Sequence, residues 1–385
     1  HGHQTMTTFR FRIPLIVDKD CMNSSTENIE SEKDLPIEVP QSLLEAFRND
    51  GFVVIPNVIS QRSVDVLNDR LEDVLRGKYD RGNKPDKVPR LVKSRKPSPP
   101  PSWSRTLGTG LQDNSEITTK DAPEENEEIE NRKEDTKHSP TKEKQQRKSR
   151  SNTGSIGFSG NFQNVKVLQI INIHKADSCF RAVETHPTLG DVVATLAGWQ
   201  YGARLAQDQV WAKPPHAPPL VFHRDSPYFM FDPPDVVTVW IALDTMDEEL
   251  GPLEYVVGSH KWGDGRLGSA SQFFQSNVKR LLQSAAEREG LTLDQLNIIS
   301  MKGLEKGSLS IHHGKIWHGS GKNESKSRPR RGLGLHFVPA NVRFTADAVH
   351  SSLWKSYVEG VEDVSKLDLP EEDFPIVSTI QNKIE

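Results

Sequence analysis

From residue 158 onward the sequence is a succession of short apolar segments, most of them bounded by glycine or proline. THPTLGDVVATLAGW and the stretch from about Asn277 to Gly290 have helical spacing, but no strand–helix alternation joins the short segments. A parallel sheet needs that alternation, because its strands are linked by crossovers. The pattern therefore predicts a mainly β fold with flanking helices, an antiparallel sandwich or jelly roll. The predicted strands are VKVLQIINI, GARLAQDQVWA, DVVTVWIAL, GPLEYVVGS, GSLSIHHG and RGLGLHFVP, with GARLAQDQVWA alternating as a half-buried strand does.

A helical part is predicted over residues 41–92, after an irregular lead-in over residues 1–40. Apolar residues at helical spacing begin after Gln41, and the NDG sequence supplies a glycine that ends the helix. FVVIP then predicts a short buried strand. Ser60 or Ser63 can cap a second helix with its own apolar face.

Residues 93–157 have almost no large aliphatic side chains and contain proline-rich, acidic and basic runs. Such a segment cannot bury enough apolar surface to offset its ordering entropy. We predict a disordered low-complexity insertion there, without catalytic residues and with possible protein contacts. The jelly-roll core is predicted over 158–345, and the acidic residues 346–385 are predicted to be a peripheral tail.

The overall charge and the cysteine content narrow the class of partner and compartment. A net charge of −4 gives no basic surface for nucleic acid, so small-molecule partners are favoured. Cys21 and Cys179 can form neither a disulfide framework nor a thiolate zinc site, which suits a reducing, cytoplasmic setting. The sequence has no apolar run of membrane-spanning length, no secretory signal and no Ser-Lys-Leu-type peroxisomal signal at its C-terminal end.

The segment FHRDSPYF contains a pattern of metal-ligand type. On a strand, His223 and Asp225 project to the same face while Arg224 points the other way. An imidazole and a carboxylate on one face can hold two adjacent positions of a divalent metal. Lone histidines such as His174 are instead predicted to be hydrogen-bonded structural residues or solvated ones.

A third ligand must come from another segment, and HHGKIWHGSG offers His312, His313 and His318. Two histidines and one carboxylate leave three metal positions open, the arrangement found in non-haem Fe(II) oxygenases. An α-keto acid can fill two of these positions.

A distal carboxylate on that α-keto acid would require a fixed cation, for which the planar fork of arginine is suited. RPRRGLGLHF offers Arg328, Arg330 and Arg331 shortly after His318, at the start of a predicted strand.

The segments FHRDSPYFMFDPPDVVTVWIALD, GPLEYVVGSHKWG and GSLSIHHGKIWHGSGKNESKSRPRRGLGLHF resemble the phytanoyl-CoA dioxygenase family of Fe(II)- and 2-oxoglutarate-dependent oxygenases. FRNDGFVVIPNVIS resembles the N-terminal entry of that family. The resemblance covers about 41–90 and 158–340, and it implies a double-stranded β-helix, the cupin-like jelly roll. Its specificity lies in the combination of these segments.

The resemblance also implies a site. Fe(II) would be held by His223, Asp225 and His318, the last preferred to His312 and His313 because a Gly-Ser-Gly turn and arginines follow it. The 2-oxoglutarate distal carboxylate would lie on Arg330, with Arg331 as the second choice. The other cosubstrate contacts implied are Ser320, Trp240, Gln209 and Gln169.

The implied activity is hydroxylation of an unactivated C–H bond of a small-molecule or acyl substrate by O₂, with release of succinate and CO₂ and with ascorbate as a possible reductant. The carboxylate of Asp225 favours hydroxylation, since a related halogenase would need a small residue there to admit chloride. The alternatives are a catalytically silent jelly-roll binding protein and a cupin-like metalloenzyme that does not use 2-oxoglutarate.

Overall fold

The computed structural model describes Ile13 and residues 38–89, 167–263 and 277–379. The predicted insertion over 93–157 lies outside these residues, as does nearly all of the predicted lead-in.

The described helices include the predicted ones. Helix α1 (Gln41–Asp50) ends at Gly51, whose φ of 86° is the left-handed conformation that glycine adopts without strain. The side chain of Ser60 accepts a hydrogen bond from the backbone N–H of Ser63, so Ser60 is the cap of α2 (Gln61–Leu75). The helices are α1 (Gln41–Asp50), α2 (Gln61–Leu75), α3 (Ser178–Glu184), α4 (Pro187–Ala197), α5 (Arg280–Arg288) and α6 (Lys355–Val358).

The described strands pair in antiparallel fashion, as predicted. The strands are β1 (Phe52–Ile55), β2 (Leu168–Ile171), β3 (Ala203–Lys213), β4 (Leu220–His223), β5 (Phe231–Asp232), β6 (Val237–Ala242), β7 (Leu253–Val256), β8 (Ile298–Ser300), β9 (Leu309–His313), β10 (His318–Ser320), β11 (Arg330–Pro339), β12 (Arg343–Phe344) and β13 (Ile376–Ser378). The larger sheet has the order β1-β9-β6-β11-β3-β13, with β2 also on β3, and the smaller sheet has the order β4-β10-β7-β8.

The two sheets pack face to face. Tyr255 of β7 reaches across to β9, where its hydroxyl makes a 2.8 Å hydrogen bond with Ser310. The Tyr255 ring also stacks on Phe52 of β1 at 4.8 Å between ring centres. The candidate metal ligands therefore lie between two sheets rather than on an open surface.

The outer face of the larger sheet is covered by helices α1 to α4, whose apolar residues share one core with β3, β6, β9 and β11. Strand β3 is consequently buried on both faces along most of its length. The prediction of a half-buried strand from its alternating sequence is wrong, because polar residues of β3 face the interior, where other side chains bind them.

The segment after residue 345 differs from the predicted peripheral tail. Strand β13 joins the larger sheet by pairing with β3. Trp354 and Phe374 are fully buried in a second apolar core with Phe231 and Phe344. The acidic composition concealed this role, because a few large aromatic residues supply the buried surface. Within the described residues, no helix is long and apolar enough to cross a membrane.

Candidate metal centre

The three predicted metal ligands meet at one end of the smaller sheet. His223 is the last residue of β4 and pairs with His318, the first residue of β10. Asp225 lies beyond the strand, in helical backbone conformation at the start of a 3₁₀ turn. Its backbone N–H donates to Gly314 O at 2.8 Å. The turn, rather than the two-residue period of a strand, therefore brings the carboxylate to the two imidazoles.

The distances between the candidate ligand atoms suit a single ion. One atom from each of the three residues lies within 4.8 Å of the others. Nε2 of His223 and Nε2 of His318 are each 3.6 Å from Oδ1 of Asp225. Nδ1 of each histidine lies near a backbone carbonyl, Val221 O at 2.9 Å and Ile316 O at 3.1 Å. When Nδ1 carries the proton, Nε2 presents its lone pair to the metal position.

The charges of these groups also suit a cation. Burial lowers the pKa of both His223 and His318 to about 4, so the imidazoles are neutral at physiological pH. Burial opposes ionisation of Asp225, but the neighbouring imidazoles, His318 foremost, hold its pKa well below the usual range. The group is thus two neutral nitrogen donors and one carboxylate, the donor set that Fe(II) accepts in non-haem oxygenases.

The other two histidines of the HHGKIWHGSG segment lie on opposite sides of β9. His312 points inward, and its Nε2 is 3.1 Å from Oδ2 of Asp225, while its Nδ1 is 3.0 Å from the Tyr255 hydroxyl. His313 instead packs near Phe47 and burial lowers its pKa to about 4. His312 therefore orients the carboxylate, a role that the sequence did not reveal.

A cavity of about 1230 Å³ opens over these ligands. Trp240, Gln209, Gln169 and Arg330, four of the predicted cosubstrate contacts, line it together with the three candidate ligands. Trp240 lies against Gly332, where an added Cβ would come within 2.3 Å of the indole ring. Glycine at this position therefore permits the ring to lie close against β11.

Among the three clustered arginines, Arg330 has the environment of an anion-binding group. It is 1% exposed, and its guanidinium carbon lies 5.6 Å from the centre of the Trp240 ring. Within the described residues, no carboxylate lies in ion-pair distance of it. Arg331 forms a two-pronged pair with Asp244 at 2.6 and 2.9 Å, which explains why this neighbour is unavailable to the cavity.

The third arginine, Arg328, is half-exposed and pairs with Asp247 and Glu249. Burial lowers the pKa of Arg330 to about 10, which leaves it charged at neutral pH. Arg330 is accordingly a buried cation that lines the cavity and has no ion-pair partner among the described residues, since the nearby Asp244 is paired with Arg331.

A buried lysine that sequence reasoning missed lies beside Ser320. Lys213 is fully buried, and its Nζ donates to Ser320 Oγ at 3.3 Å and to the carbonyl of Gly321. Burial, assisted by Arg330, lowers its pKa to about 6. Lys213 and Arg330 are register partners on β3 and β11. The only signal in the sequence is the Lys-Pro-Pro turn, which does not disclose that pairing.

Glutamines form a hydrogen-bonded row along the cavity. Gln169 Nε2 donates to Gln209 Oε1 at 2.9 Å, and Gln209 Nε2 donates to Gln207 Oε1 at 2.5 Å. Trp211 Nε1 also donates to Gln209 Oε1, at 3.0 Å. The predicted pair of glutamines is therefore held in place by its neighbours.

A second group of potential ligands is buried on the other face of β3. His174 Nδ1 lies 2.6 Å from Oδ2 of Asp208, and Glu184 is 3.8 Å from the same nitrogen. Asp208 also accepts from the backbone N–H groups of Ile173 and His174. These bonds fix the turn after β2 and agree with a structural role for His174.

A model of the phytanoyl-CoA dioxygenase (PhyH) family matches residues 47–332 of this chain. A Caenorhabditis elegans protein, the phytanoyl-CoA dioxygenase domain-containing protein 1 homolog, is 26% identical over 167 residues, which are 43% of this chain and 56% of that protein. The peroxisomal phytanoyl-CoA dioxygenase of Bos taurus is 28% identical over 123 residues, 32% of this chain and 34% of that protein. The chain thus spans about half the length, or less, of these relatives.

Solved structures support the fold. The non-heme alpha ketoglutarate dependent epimerase SnoN from nogalamycin biosynthesis matches with a TM-score of 0.53 and 16% identity, over 87% of this chain and 97% of that chain. The carbocyclase SnoK from the same biosynthesis has a TM-score of 0.53 and 16% identity, over 88% and 96%. The predicted jelly roll is confirmed. Since the family model extends from α1 to the strand that carries Arg330, this chain belongs to the phytanoyl-CoA dioxygenase family.

Proposed function

We propose that the protein is an Fe(II)- and 2-oxoglutarate-dependent dioxygenase that hydroxylates an unactivated C–H bond of a small-molecule or acyl substrate. One observation carries the proposal. A set of two histidines and one carboxylate shares a cavity with a buried arginine that has no ion-pair partner among the described residues.

In this proposal His223, Asp225 and His318 hold the iron. Their neutral imidazoles and ionised carboxylate supply the required donors before any metal binds. Bound Fe(II) with 2-oxoglutarate supplies the oxidising chemistry, in which O₂ is consumed and succinate and CO₂ are released. The chain itself contributes orientation: His312 and Thr238 bind the outer oxygen of Asp225 and leave Oδ1 directed toward the histidines.

Arg330 would bind the distal carboxylate of 2-oxoglutarate through a charge-assisted pair, stronger than in water because the guanidinium is buried. Trp240 would fix the guanidinium plane, and Ser320 would add a hydroxyl that Lys213 already orients. Gln209 and Gln169 would form the polar side of the cosubstrate position. Phe229 lines the cavity and lies 4.9 Å from His336 between ring centres, so it adds apolar surface beside the candidate ligands.

The relatives' names support the same reaction class. Dioxygenases are named among them, including a probable alpha-ketoglutarate-dependent hypophosphite dioxygenase of Stutzerimonas stutzeri, 26% identical over 127 residues, or 42% of that protein. A catalytically silent binding protein of the same family is the alternative, and intact candidate sets for both iron and 2-oxoglutarate weigh against it.

The test is release of succinate and CO₂ from 2-oxoglutarate in the presence of Fe(II), ascorbate and O₂. We expect slow turnover without prime substrate, lost in His223→Ala and kept in His216→Asn, which alters an exposed histidine with a positive φ that asparagine tolerates. Metal-loaded protein that neither turns over nor binds 2-oxoglutarate would favour the silent binding protein.

A further inference from the structure

Three cationic side chains line the cavity, Lys87, Lys175 and Arg330, and their ion pairing differs. Lys175 lines the cavity but forms ion pairs with Asp86 at 3.0 Å and with Asp373 at 2.5 Å. Arg330, at the cosubstrate position, has no carboxylate partner among the described residues. Lys87, the other lysine that lines the cavity, also has no carboxylate partner in the part of the chain that the structure describes.

Lys87 is exposed near the cavity mouth, where the protein holds it by a neutral contact. Its Nζ donates to Gln169 Oε1 at 2.6 Å, which joins Lys87 to the row of glutamines that leads to Gln209. Lys87 also pairs through its backbone with Ile171, beside β2. The ammonium group is thus placed at the rim by contacts that leave its charge uncompensated.

The neighbouring carboxylate, Asp86, is bound by other side chains. Asp86 accepts hydrogen bonds from Asn172 and from the Tyr357 hydroxyl, each at 2.7 Å, in addition to its pair with Lys175. These partners outweigh burial and lower the pKa of Asp86, so it remains an anion bound to them. Desolvation lowers the pKa of Lys87, a cost that a bound anion would offset.

The wall that completes the cavity is largely apolar. Tyr228, Phe229, Met230 and Leu353 line it, and the volume of about 1230 Å³ exceeds what a five-carbon diacid such as 2-oxoglutarate needs. A second molecule with an apolar body therefore fits beside the cosubstrate.

We propose that the prime substrate is an amphipathic acid whose anionic group pairs with Lys87 at the cavity mouth, while its apolar body lies along the aromatic wall toward the metal centre. The inference rests on the proposed function, because it takes the second anion site, Arg330, to be occupied by 2-oxoglutarate. A single unpaired ammonium recognises a carboxylate or a phosphate ester alike.

Binding of octanoate, octyl phosphate and octanamide to protein loaded with Mn(II) and 2-oxoglutarate, without O₂, tests the proposal. We expect at least one of the two anions to bind about tenfold more tightly than the amide. Lys87→Met should remove this preference and Lys87→Arg should retain it. Lys84→Met changes an exposed lysine of the same loop and should leave the preference unchanged.

Comparison of the two anions shows which headgroup the site prefers. Equal binding of anion and amide, no binding of any probe, or an anion preference that persists in Lys87→Met would overturn the proposal. If 2-oxoglutarate binds normally in that case, only the substrate class is wrong. If 2-oxoglutarate also fails to bind the metal-loaded protein, the proposed function fails with it.

Discussion

The hydroxyl of Thr238 donates a 2.7 Å hydrogen bond to Oδ2 of Asp225, the oxygen that faces away from His223 and His318. His336 Nδ1 lies 2.9 Å from the same hydroxyl and can donate to it, so the Thr238 proton is directed at the carboxylate. The carboxylate is therefore oriented by strand β6 before a metal binds.

Thr238→Val removes this donor while nearly preserving the side-chain volume. Partners that orient a metal-binding carboxylate typically contribute tenfold to hundredfold in metal affinity, and we expect a loss of about tenfold here. Competition with a chelator measures it. Thr195→Val, at an exposed position of α4, is the matched control and should bind metal as the wild type does. Equal affinity in Thr238→Val would show that His312 alone suffices to orient Asp225.

Arg330 and Arg331 are adjacent in the sequence and point to different partners, so they form a natural pair of variants. Arg330→Met should raise the dissociation constant of 2-oxoglutarate about a hundredfold, because a buried charge-assisted pair is lost. Metal affinity should stay the same. Calorimetric titration of metal-loaded protein with 2-oxoglutarate measures the first value, and competition with a chelator measures the metal affinity.

Arg331→Met removes the pair with Asp244 on the far side of β11. It should lower the free energy of unfolding, because a largely buried carboxylate loses its partner, and should leave 2-oxoglutarate affinity intact. The reverse pattern would move the cosubstrate role from Arg330 to Arg331.

The sequence predicted those parts of the site whose polar side chains lie close together within one short segment. The His-x-Asp and His-Gly-Ser-Gly sequences indicated three side chains that the structure brings within 4.8 Å, although their role as ligands stays a prediction. The short strands with glycine and proline between them likewise predicted the antiparallel fold. These patterns are local, so the chain does not have to be folded for them to be recognised.

What the sequence did not reveal depends on pairing between distant strands. Lys213 meets Arg330 only because β3 and β11 are in that register, 117 residues apart. Trp354 is buried although an acidic segment surrounds it, since its indole N–H donates to Tyr228 O at 2.7 Å and its ring fills the second core. Composition averages over such residues, whereas a fold depends on individual ones.

Acid should destabilise the metal-free protein. Burial lowers the pKa of His223, His313 and His318 to about 4 in the folded state, against about 6.5 in an unfolded chain. Between these values the unfolded chain binds more protons, so the free energy of unfolding falls as the pH falls from about 6.5 toward 4. The midpoint of urea unfolding should therefore be highest at about pH 7.5, lower at about pH 6 and lowest at about pH 5.

His313→Asn isolates one of these groups, since asparagine can still accept from the Lys315 N–H. Between about pH 7.5 and about pH 5, the free energy of unfolding should fall less in the variant than in the wild type. The slope of that free energy against pH should be smaller by the equivalent of up to about one bound proton. Glu184 acts in the opposite sense, because burial raises its pKa, but it is common to both proteins and cancels in the comparison. Parallel pH profiles for the two proteins would contradict the assignment.

Binding of 2-oxoglutarate should change the protonation state of Lys213. Burial and the charge of Arg330 lower its pKa to about 6, so the amine is mostly neutral at pH 7.5. A carboxylate bound at Arg330 and Ser320 would oppose both effects and raise the pKa of Lys213. Binding of 2-oxoglutarate should therefore take up as much as about one proton.

Calorimetric titrations in phosphate and in Tris measure this uptake, because the two buffers release protons with different enthalpies. Lys213→Met should abolish the difference between buffers, whereas Lys326→Met, which changes an exposed lysine, should keep it. Proton uptake that persists in Lys213→Met would assign the titration to another group of the cavity. If the wild type takes up no proton, Lys213 retains its neutral form and acts only by orienting Ser320.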